Sequence, residues 1–251
     1  MIMRLFTYNI AYGTGCPGNM GKNILTAHRY LRTPRRSIDR ICRSIRSYSP
    51  DIVALVEVDT GSFRTGYLNQ AELIAEKLGS FQSSGIKYAE DSIGRKIPIL
   101  RRQANAILNR MTDAGATFHY FPAGFKRLVI ELSLSTCSVF LVHLALETRT
   151  RHIQLRHLQK IVPKNRPVIV TGDFNTLLGA RELLPLCRAL SLKNANVSNL
   201  PTFPSWNPEK QLDFILYSPG IKPISLRVPK ISFSDHLPLV FDFETEQRIQ
   251  R

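Results

Sequence analysis

The apolar positions of the chain fall into two kinds of run, which predict strands and helices. Continuous apolar runs such as "DIVALVEV" (51–58) and "PVIVTGDF" (167–174) are typical of strands that are covered on both faces. In "SIDRICRSIRSY", by contrast, Ile38, Ile41 and Ile45 recur at helical spacing, and the Ser-Pro pair that follows predicts the end of the helix. Runs of both kinds recur in both halves of the chain, which predicts two packed sheets with helices outside.

Further segments extend this pattern along the chain. The strand-like ones are "MRLFTYNI", "ANAILN", "RLVIELSL", "CSVFLVHL", "LDFILYS", "ISLRVPK" and "PLVFDF", and the helical ones are "NQAELIAEKLG", "TRTRHIQLRHLQKIV" and "ARELLPLCRAL". No strand is predicted in the polar, basic stretch that ends in "GRKIPILRRQ". Because no repeat and no Gly-, Pro- or Ser-rich linker divides the chain, we predict one domain over 1–251, with a core at 3–243 and a short polar tail at 244–251.

Polar side chains recur at or near the ends of the predicted strands. They are Asn9, Glu57, His143, Asp173, Asn175, Asp213, Asp235 and His236. A single Asp or Asn after a strand is usually a turn or a helix cap. Their recurrence at the same kind of position instead predicts that the strand ends converge on one rim, where open α/β sheets build their sites.

The residue types in this set indicate a particular chemistry. Carboxylate and amide oxygens are the hard ligands that Mg²⁺ or Mn²⁺ prefers in proteins. Histidines beside such a metal are available for acid and base work. A metal combined with an acid and a base is suited to the hydrolysis of phosphoesters.

The charge of the chain bears on its partners. Lys and Arg number 34 against 19 Asp and Glu, which leaves a formal net charge of +15 and a pI of about 10.1. Such a field favours polyanions, either nucleic acid or an anionic lipid surface. The same charge is also typical of a soluble protein with many arginines, and this alternative stays open.

The cysteines and the N-terminus bear on the compartment. The four cysteines lie far apart, without the spacing of a zinc site or of a disulfide framework. The segment "MIMRLFTYNIAYG" is strand-like from its third residue, which leaves no room for a signal peptide, and no apolar run is long enough to span a membrane. We therefore predict a cytoplasmic protein with no transmembrane segment.

Several segments in a fixed order carry a resemblance to a known family. These are "FTYNIAYG", "PDIVALVEVD", "NAILNR", "VFLVHLALE", "PVIVTGDFNT", "TFPSWNPEKQLDFIL" and "SDHLPLV". In this order they resemble the endonuclease/exonuclease/phosphatase superfamily over residues 5 to 243. The resemblance implies a DNase-like, four-layer α/β sandwich, in which two face-to-face mixed β-sheets are flanked by helices.

The resemblance also implies which residues hold the metal and which move protons. Glu57 is expected to be the main ligand of Mg²⁺ or Mn²⁺, supported by Asn9 and Asp235. His236 is expected to be the catalytic histidine, and Asp213 to orient it and favour its imidazolium form. Because Glu57→Gln keeps the shape and removes the charge, we expect activity to fall by orders of magnitude and to recover partly at high magnesium. Thermal stability is expected to change little, because the strand itself is apolar.

The remaining site residues are expected to handle water and phosphate. Asp173 positions the attacking water, Asn175 holds a phosphate oxygen, and His143 donates to the phosphate from the other side. Asn105 is a weaker candidate, which either contacts the substrate or buttresses His143, and a strand-edge hydrogen bond is an equal alternative.

The branch of the family and its substrate are less determined by these motifs. Abasic-site endonucleases typically carry a tyrosine where this chain has His143, which disfavours that branch. Two basic segments, 14–36 and 83–102, either grip phosphates near the rim or serve only solubility. Within the second segment, Lys87, Arg95, Lys96, Arg101 and Arg102 supply the charge.

We therefore predict a divalent-metal-dependent phosphoester hydrolase, in which water attacks a phosphodiester in line. Its substrate is nucleic acid or a phospholipid headgroup; one alternative is a phosphomonoesterase acting on a small sugar or inositol phosphate. An alternative of another class is a basic, non-catalytic nucleic-acid-binding module. The complete set of Glu57, Asp173, Asn175, Asp213, Asp235 and His236 favours the enzyme. No protein partner is implied.

Overall fold

The structure, a computed structural model, describes residues 1–16, 32–88 and 92–246. Most of the basic segment 14–36 and the end of the polar tail 244–251 lie outside these residues. No helix within them is long and apolar enough to cross a membrane.

The described residues form twelve strands and five α-helices. The strands are β1 (Ile2–Asn9), β2 (Ile52–Asp59), β3 (Phe81–Ile86), β4 (Gln103–Asn109), β5 (Gly115–Tyr120), β6 (Leu128–Ser133), β7 (Ser138–His143), β8 (Val168–Asp173), β9 (Lys193–Asn194), β10 (Asp213–Tyr217), β11 (Ile221–Arg227) and β12 (Leu239–Thr245). The helices are α1 (Arg35–Ser47), α2 (Gln70–Leu78), α3 (Ile93–Lys96), α4 (Thr148–Ile161) and α5 (Leu184–Leu190).

The strands make two mixed six-stranded sheets of similar design. The first sheet has the order β11-β12-β1-β2-β4-β3 and the second the order β5-β6-β7-β8-β10-β9. Each sheet contains one parallel pair, β1 with β2 in the first and β7 with β8 in the second, and its other neighbours are antiparallel.

Three buried apolar clusters show how the layers stack. The central cluster lies between the sheets and includes Ile107, Leu141 and Phe241. The second cluster packs α1 and α2 on the outer face of the first sheet, and the third packs α4 and α5 on the outer face of the second. This stacking confirms the predicted four-layer sandwich of two sheets between helices.

Strands β3, β5 and β9 were missed by the sequence patterns. All three lie at sheet edges, and β3 and β5 carry exposed or half-buried side chains such as Phe81, which is 57% exposed, and Phe118, which is 42% exposed. An edge strand without a buried face has no apolar alternation for a pattern to detect. The predicted strand "ISLRVPK" is confirmed with a shift, because β11 begins at Ile221 and ends at Arg227.

The topology explains why the polar strand ends meet. The carboxyl ends of β1 and β2 lie at one end of their sheet, and those of β7 and β8 lie at the corresponding end of the other sheet. Strands β10 and β12 run antiparallel to β8 and β1, so β10 and β12 begin at this same end. A hydrogen bond between Thr7 Oγ1 and Thr171 Oγ1 of 2.8 Å joins β1 to β8 across the core. The site residues therefore share one rim.

Gly172 is required where β8 passes β7. Its φ is +131°, and a Cβ built on it would lie 2.0 Å from the carbonyl oxygen of Val142. Any side chain at this position would push apart the parallel pair whose ends carry His143 and Asp173. The glycine of the "GDFN" motif thus has a structural reason that precedes any chemistry.

We predict that Gly172→Ala lowers the free energy of unfolding by about 3 kcal/mol or more, since it combines a disfavoured φ with a clash against backbone. The matched control is Gly115→Ala, because Gly115 begins β5 with nothing within 4 Å of its Cβ position. That change is expected to stay within about 0.5 kcal/mol. Urea unfolding of both variants measures the difference, and equal stability of the two would contradict this account of Gly172.

Candidate active site

Glu57 reaches the rim from a distorted part of β2. The pairing of β2 with β4 shifts register between Leu55 and Val58, and Glu57 there has a φ of +59°. A β-bulge bends the strand and re-aims a side chain, and a left-handed φ at a non-glycine residue costs about 1–3 kcal/mol. The N–H of Glu57 donates to Asn105 Oδ1 at 3.3 Å. Asn105 is buried, and this hydrogen bond ties it to the backbone of the bulge that carries Glu57.

Two lysines lie against the Glu57 carboxylate. The Nζ atoms of Lys87 and Lys126 are each 3.4 Å from Glu57 Oε1. Burial raises the pKa of Glu57, but the positive charges of Lys87, Lys126 and His236 outweigh it and lower this pKa to about 2. Glu57 is therefore held as a carboxylate at every physiological pH.

Lys87 is enclosed by the protein. Its side chain is only 1% exposed, its Nζ donates to the Tyr12 hydroxyl, and that hydroxyl donates to Gln103 Oε1 at 2.9 Å. Burial lowers the pKa of Lys87 to about 7, against the opposing charge of Glu57. Neither alternative for the basic segment 83–102, phosphate gripping or solubility, describes Lys87, because its amino group faces Glu57 in the interior.

His236 and Asp213 form a close pair. His236 Nδ1 lies 2.8 Å from Asp213 Oδ2, and the same oxygen accepts from the Thr202 hydroxyl at 2.7 Å. Burial lowers the pKa of His236, but the charges of Asp213 and Asp173 outweigh it and raise this pKa to about 10. The pair thus favours the imidazolium form of His236.

Asp173 contacts side chains from both sheets. Its Oδ2 accepts from Asn9 Nδ2 at 3.1 Å and lies 3.5 Å from His143 Nε2 and 3.8 Å from His236 Nε2. Burial and the charge of Asp213 raise the pKa of Asp173 to about 6, although His236 opposes this shift. An aspartate with such a pKa accepts protons more readily than an ordinary one.

Asn175 follows Asp173 in a strained, buried turn. Its φ is +50°, its N–H donates to Asp173 Oδ1 at 3.0 Å, and its Nδ2 donates to the Leu144 carbonyl at 2.9 Å. Its side chain thereby links the loop after β8 to the loop after β7. One amide hydrogen and the side-chain oxygen have no partner among these bonds, and both are available to a ligand.

His143 is neutral and its tautomer is set by a neighbour. Burial and the charges of Lys126 and Lys87 lower the pKa of His143 well below its ordinary value. Lys126 Nζ lies 2.6 Å from His143 Nε2, so this nitrogen accepts and the ring proton is on Nδ1. Nδ1 is buried and has no hydrogen-bond partner among the described residues, although Glu57 Oε1 lies 4.0 Å away. The site therefore contains an unsatisfied donor.

Glu57 and Asp235 are close enough to influence each other electrostatically, and their side chains are of the type that fits a divalent cation. Burial and the negative charge of Glu57 raise the pKa of Asp235, with His236 opposing the shift. Two carboxylates that repel each other in this way are suited to a shared Mg²⁺ or Mn²⁺. Asn9 Oδ1 accepts from the Ala11 N–H at 3.1 Å, and a carbonyl oxygen retains a second lone pair for a ligand.

A second grouping of potential ligands has a competing explanation. Oxygen or nitrogen atoms of Asp173, Asp213 and His236 lie within 4.8 Å of one another. A metal ligand must be deprotonated, whereas the two aspartates hold His236 as an imidazolium. This grouping is therefore better suited to acid and base work.

Lys126 is the site residue that the sequence analysis missed. It precedes β6 in the segment "AGFKRL", contacts both Glu57 and His143, and is part-exposed at the rim. A single lysine before a strand has no distinguishing neighbours, so no local pattern separates it from a solubilising charge.

Comparison with known proteins shows the family to which the chain belongs. Residues 6–236 match the endonuclease/exonuclease/phosphatase family, and the chain belongs to that family. Its members are metal-dependent phosphoesterases, so the protein is classed as a phosphoester hydrolase. No curated protein sequence gives a significant match.

Solved structures share the fold at low sequence identity. An endonuclease/exonuclease/phosphatase from Beutenbergia cavernae DSM 12333 aligns with a TM-score of 0.71 at 18% identity, covering 97% of this chain and 72% of that one. The human Nocturnin catalytic domain with a bound sulfate anion aligns with a TM-score of 0.67 at 21% identity, covering 97% and 93%. TDP2 from D. rerio, complexed with a single-strand DNA product, aligns with a TM-score of 0.64 at 16% identity, covering 97% and 99%.

The two rim histidines are predicted to differ in charge over a wide pH range, His236 being positive and His143 neutral. Because the pKa of His236 is raised to about 10 and that of His143 is lowered, His236 should be an imidazolium at pH 8 while His143 is still neutral at pH 6. Nitrogen-15 NMR of the chelator-treated protein measures both rings. Asp213→Asn should bring the His236 titration toward the ordinary pKa of about 6.5, and an unchanged titration would contradict the pairing.

Glu57→Gln is now predicted to lower stability, contrary to the expectation from the sequence. The change leaves Lys87 buried without a carboxylate, at a cost of about 3 kcal/mol. A buried lysine favours its neutral form, so the loss should grow as pH falls from 9 to 6 and more lysine is charged. Urea unfolding at both pH values measures it.

Two further variants separate this effect from simple charge loss. Glu57→Gln combined with Lys87→Met should recover part of the stability, since neither charge is then unpaired. Glu244→Gln is the matched control, because Glu244 pairs at 3.5 Å with the exposed Lys222. It should change the free energy of unfolding by less than about 0.5 kcal/mol. A Glu57→Gln variant as stable as this control would refute the dependence of Lys87 on Glu57.

Proposed function

We propose that the protein hydrolyses phosphodiesters of nucleic acid with Mg²⁺ or Mn²⁺, by in-line attack of water on phosphorus. The observation that carries the proposal is the meeting at one rim of the Glu57 and Asp235 carboxylates, the Asp213–His236 pair and Asp173. A metal site, a cation for the developing charge and a water-orienting carboxylate are the components of phosphoester hydrolysis.

The residues have the following proposed roles on the metal side. Glu57 and Asp235 hold the cation, with Asn9 as a further oxygen donor, and Asn105 keeps the Glu57 backbone in its bulge. When bound there, the divalent cation supplies positive charge that polarises a phosphoryl oxygen.

The second sheet supplies the water and phosphate contacts. Asp173, whose pKa is raised to about 6, orients the attacking water and accepts a hydrogen bond from it. His143 donates its free Nδ1–H to a phosphate oxygen, and Asn175 donates its free amide hydrogen. His236, fixed as an imidazolium by Asp213, stabilises the negative charge that grows on the phosphoryl group.

Nucleic acid is proposed as the substrate class because of charge. The net charge of +15 attracts polyanions, and Lys96, Arg101 and Arg102 are exposed near the Glu57 end of the first sheet. The structural relative TDP2 is seen with a single-strand DNA product. Contacts of this kind reach phosphates and carry no base information, so little sequence preference is expected. A cytoplasmic location stays a prediction from the sequence.

We predict that the protein cleaves single- or double-stranded DNA or RNA with Mg²⁺ or Mn²⁺, fastest at low salt, and that a chelator stops the reaction. The panel includes abasic DNA, phospholipid, and sugar and inositol phosphates. Preference for abasic sites would contradict the interpretation of His143. Robust hydrolysis of a lipid or a small phosphate without nuclease activity would move the protein to those substrate classes.

His236 and Asp213 should lose activity as one unit. His236→Ala and Asp213→Ala are each expected to lower kcat by about 10²–10⁴-fold, and the double variant little further. The control is His152→Ala, because His152 is exposed on the outer helix α4. Steady-state rates on one phosphodiester measure all four variants, and additive losses for the pair would show that the two residues act separately.

A further inference from the structure

The lysine that the motifs do not mark, Lys126, stands between the two halves of the site. Its Nζ donates to His143 Nε2 at 2.6 Å and to Glu57 Oε1 at 3.4 Å. These contacts use two of the three hydrogens of an ammonium group. The side chain is 22% exposed, so the third hydrogen can reach a ligand at the rim.

Charge balance at Glu57 does not by itself explain Lys126. Lys87 lies at the same 3.4 Å distance from Glu57 Oε1, but it is shielded from solvent, and its Nζ donates to Tyr12 and Glu57, neither of which belongs to the second sheet. Lys126 differs from Lys87 in two ways, because its side chain is 22% exposed and its Nζ also contacts His143 Nε2 on the second sheet.

The backbone of Lys126 is held by a buried residue of α4. Gln154 is fully buried, and its Nε2 donates to the carbonyl oxygens of Lys126 at 3.0 Å and Ala123 at 3.1 Å. Its Oε1 accepts from the Ala145 N–H at 2.8 Å, which ties the same side chain to the loop after His143. Gln154 therefore fixes the loop that carries Lys126 relative to the strand that carries His143.

The intervening loop is shaped to accept this contact. Gly124 has a φ of +104°, and a Cβ built on it would lie 2.7 Å from Gln154 Nε2. A side chain there would displace Gln154, so the approach depends on glycine. Such a specified backbone is unusual for a lysine that serves only solubility.

We propose that Lys126 is a phosphate-binding residue of this site, held in place by Gln154 as a positioning residue. Lys126 donates its free ammonium hydrogen to a non-bridging phosphate oxygen next to the one that His143 contacts. The inference rests on the proposed function for its location, and it adds a phosphate-binding group beside His143 that neither the motifs nor the family comparison assigns.

Inorganic phosphate with Mg²⁺ tests the proposal without turnover. Binding to the full chain is measured by isothermal titration calorimetry for Lys126→Met and Lys126→Arg. A hydrogen bond from a charged group contributes enough that Lys126→Met should weaken phosphate binding by about 10-fold or more, while Lys126→Arg stays within about 3-fold of the wild type.

Lys164→Met is the matched control. Lys164 is exposed before β8, at the end of the second sheet opposite the rim, so the variant loses the same charge away from the site. Its phosphate affinity should be unchanged. Equal affinities of Lys126→Met and the wild type would overturn the proposal, and an equal loss in Lys164→Met would show a long-range charge effect in its place.

Gln154 is tested through its coupling to Lys126. Gln154→Met should raise KM for a phosphodiester more than it lowers kcat, and adding it to Lys126→Met should cause little further loss of phosphate affinity. Thermal unfolding checks that the variant is folded. Independent, additive losses would refute the positioning role, while the Lys126 variants still test the phosphate contact.

The outcomes separate this inference from the proposed function. Phosphate binding that depends on Lys126, in a protein that cleaves no phosphoester of the panel, would support the inference and contradict the function. Cleavage that proceeds with unchanged KM in Lys126→Met would support the function and contradict the inference.

Discussion

The face-to-face packing of the two parallel strand pairs is the constraint on which the site depends. Strands β1 and β2 bring Asn9 and Glu57 to the rim from one sheet, while β7 and β8 bring His143 and Asp173 from the other. The Thr7–Thr171 hydrogen bond holds the pairs together inside the core, and the bond from Asn9 Nδ2 to Asp173 Oδ2 joins their ends. A shift of either sheet would separate Asn9 and Glu57 from His143 and Asp173.

The rim concentrates features that destabilise a fold. Tyr12, Glu57 and Asn175 adopt positive φ values there, and several charged groups are removed from water. These buried charges are tolerated because they are paired, Lys87 with Glu57 and His236 with Asp213. The apolar clusters on both faces of each sheet stabilise the frame that holds these groups. Such strain at a site is consistent with pre-organisation for chemistry.

Helix α4 connects the rim loops from behind the second sheet. Its buried Arg151 donates to the carbonyl oxygens of Ala145 and Leu146 and pairs with Glu182 at 2.6 Å. One turn further on, Gln154 reaches the loop of Lys126. Two polar residues on the inner face of one helix therefore fix the loops that follow or precede three strands at the rim.

Much of the fold and the site followed from the sequence by itself, because the signals are local. A buried strand appears in the sequence as an apolar run, so the two sheets could be predicted. Polar residues directly at the strand ends, such as Glu57, Asp173 and His236, could be recognised as candidates for the rim for the same reason. The edge strands β3 and β5 could not be predicted, since an exposed strand has no apolar face. Nor could the burial of Lys87, the support of Glu57 by Asn105 or the position of Lys126. Each depends on which distant loops meet at the rim, and only the packing of the two sheets decides that.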